Sequence, residues 1–119
     1  MILNDEIQQA AQKLGQTLHE TTDVKMYLQA AQAARDDPET TALEEKLLVL
    51  YQRLANQERS GQALDQTELN EYYQLREQVR SNPLIALRDE QLQMVKLKFS
   101  DAGQMMTSVM GVDFSALAL

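Results

Sequence analysis

The sequence predicts an all-α protein of about five helices, including an antiparallel helical hairpin and a long C-terminal helix. Gln, Glu, Leu and Ala dominate its 119 residues, and these are strong helix formers. Residues that favour strands are scarce, with two Phe, no Trp and few Val or Ile. Apolar residues also recur at three- and four-residue steps along most of the chain. The length suits a single helical domain, 1–119.

The first helix is expected over about residues 3–18, where Ile7, Ala10, Ala11, Leu14 and Leu18 make one apolar stripe. Thr21, Thr22 and Asp23 offer N-cap chemistry for a second helix carrying Val24, Leu28 and Ala31, ending near Arg35. Asp36-Asp37-Pro38 is a break followed by a restart, since Pro38 suits a first helical turn and Glu39 complements the helix dipole. In the third helix, 38 to about 59, Leu43, Leu47, Leu50 and Leu54 step by four, three and four, as in a coiled-coil seam. Gly61 is the natural left-handed C-cap after it. Asp65 or Thr67 starts the fourth helix, and Glu68, three residues after Asp65, resembles a capping box. Leu69, Tyr72, Leu75 and Val79 form its stripe.

Two helices of similar length joined by a short polar loop fold back on each other, so 38–81 reads as the hairpin. Ser81-Asn82-Pro83 ends it and opens the fifth helix, 83–110. Ile85, Leu92, Phe99 and Met106 lie seven apart there, with Val95, Ala102 and Val109 between them. Such a heptad suits packing along another helix. Gly111 is expected to end it, leaving 111–119 as a short apolar tail.

The formal net charge is −7, and the eleven Lys and Arg residues are dispersed among acids. Nucleic-acid binding needs a basic stripe that displaces counterions, so direct contact with RNA or DNA is not expected. With no cysteine there are no disulfides, thiolate metal sites or cysteine nucleophiles. The N-terminus lacks a signal-peptide pattern and no apolar run is long enough to span a bilayer, so a cytoplasmic location is expected.

Catalytic groups are not apparent. His19, the one histidine, reads as a surface or capping residue. The adjacent acids Asp36/Asp37, Glu44/Glu45 and Asp89/Glu90 point about 100° apart on a helix and read as solvated faces. The four glycines are too scattered for a phosphate loop, and Gly15 and Gly103 fall inside helices, as tolerated weak points or places of close helix approach. Tyr51, Tyr72 and Tyr73 read as hairpin packing rather than a stacking platform. Met94, Met105, Met106 and Met110 suit either an adaptable interaction surface or a core. No metal, cofactor or enzymatic activity is expected.

Asp37-Pro38-Glu39 before a Leu-rich helix, a Gly-containing loop, an acidic helix and then Ser81-Asn82-Pro83-Leu84-Ile85 resembles the YlbF/YmcA family of bacterial helical proteins, over about residues 22–109. The resemblance implies a helical protein with a projecting hairpin, commonly a homodimer or higher oligomer. It also implies a regulator of competence, sporulation and biofilm development, within a complex that modulates an endoribonuclease. Some members carry cysteines tied to an iron–sulfur cluster; this chain has none, so no cluster is carried over. Where the family often has an Ala-Glu pair after the junction, this chain reads Gln91-Leu92.

A long helix in a small domain cannot bury its whole stripe within one chain, and soluble proteins cover such patches by association. The expected function is therefore that of a non-enzymatic adaptor or regulatory protein. Its partners would be copies of itself, family relatives and a ribonuclease complex. Leu84, Ile85, Leu92, Val95, Phe99 and Met106 are the expected packing and self-association face, with Pro38, Gly61, Asn82 and Pro83 as structural junctions. The alternative is a chaperone-like helical clamp for unfolded clients.

Overall fold

The structure, a computed structural model, describes residues 2–113 and 116. Among these residues there are five helices and no strand: α1 (Asp5–His19), α2 (Thr22–Asp36), α3 (Pro38–Arg59), α4 (Gln66–Ser81) and α5 (Pro83–Met110).

Local chemistry sets most of the boundaries. Asn4 caps α1, its side chain accepting from the Ile7 amide at 2.9 Å, and Asp5 and Glu6 sit where the helix dipole favours acids. Asp37 caps α3 in the same way, with Pro38 directly after it. The end of α3 is a Schellman motif. Gly61 takes φ +76°, its amide donates to the Glu58 carbonyl, and the Gln62 amide donates to that of Gln57. Gly111, at φ +73°, closes α5 with one bond from its amide to the Thr107 carbonyl. Of the tail 111–119, all but 111–113 and 116 lies outside the described residues.

Two caps differ from expectation. The Thr21 hydroxyl donates back to the Leu18 carbonyl at 2.6 Å, so it closes α1 rather than capping α2. Asp65 does cap α4, accepting from the Thr67 amide, but Glu68 does not complete a capping box. Its carboxylate takes Arg53 at 3.0 Å and Gln57 at 3.3 Å on α3, because a cationic partner across the hairpin outcompetes a neutral amide.

Contacts group the chain into two units. One covers Gln29–Asp89: the end of α2, the hairpin α3–α4 and the start of α5. Its core holds Ala30, Ala31 and Ala34 of α2, Leu50 and Leu54 of α3, and Ile85 of α5, with the buried hydroxyl of Thr40. The small alanines leave room for a neighbouring backbone, and the leucines come from the heptad seam. The other unit takes the described residues of Met1–Leu28 and Glu90–Leu119. Val95 is its buried apolar side chain, and Lys98 of α5 reaches Asp23 of α2 at 3.0 Å. No helix among the described residues is long and apolar enough to cross a membrane.

Candidate interaction surfaces

The junctions marked by Pro38 and by Asn82-Pro83, 44 residues apart in sequence, are one structure. The Asn82 side-chain oxygen accepts from the amides of Leu84 and Ile85, at 2.9 and 3.1 Å, and so caps α5. Its amide nitrogen donates to the Thr40 hydroxyl at 3.1 Å. Thr40 is fully buried and passes the chain on, donating to Asp37, the cap of α3, at 2.5 Å. Two helix N-termini are thus held by one relay of side chains, Asn82 to Thr40 to Asp37, in which each polar group is satisfied.

A second tie fixes α5 to the hairpin one turn on. Arg88 grips Glu44 with both ends of its guanidinium, at 2.9 and 3.0 Å, and touches Asp89 at 3.1 Å. The hydrogen bond to Glu44 is the main cause that raises the Arg88 pKa above its ordinary value, against a smaller opposing effect of burial. The fork geometry explains why arginine occupies this position.

With Glu44 turned to Arg88, its neighbour Glu45 faces another side of α3. The hairpin therefore presents two different surfaces. On one, Tyr51 and Tyr72 pack with ring centres 6.3 Å apart, and Tyr72 meets Tyr73 edge-on at 5.6 Å. This is the expected hairpin packing, extended by exposed Leu48 and Leu64. On the other lies a trough of about 570 Å³ between α3 and α4, floored by Ala42, Leu50 and Leu75. It runs into a second hollow of about 430 Å³ toward Ser81, with Ala42 and Lys46 shared by both. As a pattern, the leucine seam Leu43, Leu47, Leu50 and Leu54 marks the helix–helix contact and carries no mark of this trough. Its one sequence signal is Val49, an apolar residue off the seam, which stands half exposed.

The six residues expected to form an association face separate by burial. Ile85 is 2% exposed and Val95 7%, so both pack inside their own chain. Leu84, Leu92 and Met106 are half-buried, whereas Phe99 is 51% exposed. The α5 stripe is covered at Val95 and emerges toward the C-terminus, until Val109 stands 80% exposed, with Met105 and Met110 also open. Helix α1 buries none of its residues; Ile7 and Leu14 of its stripe remain exposed.

Among the described residues no three His, Cys, Asp or Glu gather as a metal site, and His19 lies exposed in the last turn of α1. A Cβ at Gly15 would meet nothing within 4 Å, so close helix approach does not explain that glycine. The model of the family described as control of competence regulator ComK, YlbF/YmcA, matches residues 7–109. That match spans all but the first residues of α1, both proline junctions, the hairpin and nearly all of α5. No curated protein matches the chain.

Proposed function

The chain belongs to the YlbF/YmcA family, and from that premise we propose that it is a non-enzymatic cytoplasmic regulator that works by docking to proteins, copies of itself included. In this reading it serves as a subunit of a complex that modulates RNA processing, and RNA is reached through a partner rather than by this acidic chain. The observation that carries the reading is the open apolar surface: α1 with no buried residue, and Phe99, Met105, Val109 and Met110 exposed on α5. An isolated helix of fifteen residues is marginal in water, and apolar faces of this extent are stabilised by burial against a partner.

Light scattering tests self-association directly. The wild-type chain is expected at a multiple of its 13.5 kDa mass. Phe99→Glu, with helical circular dichroism retained, is expected to return it to the monomer. A monomeric wild type, or a variant of unchanged mass, refutes self-association through this face. Affinity capture of the tagged protein from its own cells tests the partners. Recovery of a ribonuclease together with family relatives supports the regulatory reading. The exposed methionines of α5 favour one rival: capture of miscellaneous unfolded clients, with suppression of a client's aggregation, would make the protein a chaperone-like clamp.

A further inference from the structure

We propose that the trough between α3 and α4 is a docking site for a basic amphipathic helix of a partner protein, distinct from the self-association face. The proposal rests on the adaptor reading and gives one partner its chemistry. From Glu39 to Arg53 the lining of α3 extends fourteen residue steps, about 21 Å at 1.5 Å per step. That length accommodates about four turns of a helix and exceeds a typical metabolite. Ala42 lines both hollows, where its small side chain allows a backbone to approach, and Val49 lines the larger one as a half-exposed apolar contact. An apolar floor at helical spacing with charges along its edges is the arrangement that receives an amphipathic helix.

The charges select the sign of that helix. Glu39, Glu45 and Glu71 line the trough, and among the described residues none of them has an ion pair. Arg53 is neutralised by Glu68, which leaves Lys46 as the unpaired cation against three carboxylates. A second copy of this chain, at −7, is a poor match for such a rim, whereas lysines and arginines flanking an apolar helix face complement it. The family match places no role on these residues.

The test uses the full chain and fluorescein-labelled peptides of about eighteen residues, long enough to be helical on binding. One is an amphipathic Leu/Lys peptide, one its Leu/Glu counterpart, and one a Leu/Lys peptide of the same composition in non-amphipathic order. By fluorescence anisotropy the first is expected to bind about tenfold or more tighter than the other two, a gap of about 1.4 kcal/mol. Ala42→Arg fills the trough at an exposed position and is expected to weaken binding about tenfold, as is the pair Glu45→Lys with Glu71→Lys. Tyr73→Ala, on the other side of the hairpin, should leave it unchanged. Equal binding of the scrambled basic peptide would mean bulk charge attraction and overturns the site, as does undiminished binding by Ala42→Arg. If no peptide binds while the wild type remains an oligomer that Phe99→Glu dissociates, the trough proposal fails and the adaptor reading stands.

Discussion

Asn82 does three jobs with one side chain: it stops α4, caps α5 and holds Thr40. Asn82→Ala removes the cap and leaves the buried Thr40 hydroxyl short of a partner, so a loss of about 2–3 kcal/mol is expected from the two effects together. Urea unfolding followed by circular dichroism reads this as a lower midpoint at an unchanged slope. A loss within a few tenths would show that water replaces the relay. Gly15 predicts the opposite sign. It sits inside α1 with open space around it. Gly15→Ala should therefore raise stability by roughly 0.5–1 kcal/mol, and a destabilised variant would mean that the glycine serves some contact absent from the single chain. That Asn82-Pro83 joins two helices was legible in sequence, because Asn before Pro is local helix-break and helix-start chemistry. Its bond to Thr40 was not, because it joins residues 42 positions apart and depends on how the helices meet. Glu68 shows the same limit from the other side, since its local capping signal lost to Arg53 across the hairpin.

The helices themselves were legible where apolar period and breakers agreed. Helices α3 and α5 fall where the leucine seam, the two prolines, Gly61 and Gly111 place them. Helix α1 was found from its stripe, but periodicity alone cannot say whether a stripe meets a neighbour, and this one leaves Ile7 and Leu14 exposed. The heptad of α5 shows the difference between period and burial: Ile85 is buried and Phe99, on the same repeat, is half exposed. The hairpin depends on its turn. Gly61 holds a left-handed conformation that costs other residues about 1–2 kcal/mol. Gly61→Ala should lower hairpin stability by about 1 kcal/mol although a Cβ there touches nothing. Amide hydrogen exchange localises the effect. Faster exchange confined to the end of α3 and the start of α4 is expected, and protection unchanged there would place the stability of the turn in packing rather than in Gly61. The Arg88–Glu44 fork gives a further contrast at this scale. Arg88→Lys keeps the charge but cannot grip both carboxylate oxygens, so it should weaken the tie of α5 to α3 nearly as much as Arg88→Ala. Thermal unfolding of the two variants compares them, and a lysine variant equal to wild type would reduce the tie to simple charge attraction.

At the scale of the molecule two opposing forces act on any assembly. Each chain carries −7, so copies repel, and the repulsion reaches about 10 Å at moderate salt. The exposed stripe of α5 and α1 attracts through apolar burial, which is indifferent to charge. Salt screens the first and leaves the second, so self-association should tighten as ionic strength rises. The trough predicts the reverse for a basic helix, since its rim of Glu39, Glu45 and Glu71 works through charge complementarity that salt weakens. Sedimentation of the chain alone and anisotropy with the Leu/Lys peptide, each followed from low to high salt, therefore give slopes of opposite sign if the two surfaces are what they are proposed to be. Self-association that falls with salt would mean that ion pairs hold the copies together, and the apolar stripe would then need another occupant. Peptide binding that is flat in salt would leave only the apolar floor as the site of recognition and remove the reason to expect a basic partner. Phe99→Glu separates the two surfaces within one sample: it should abolish the first slope, by placing charge on the association face, and leave the second intact.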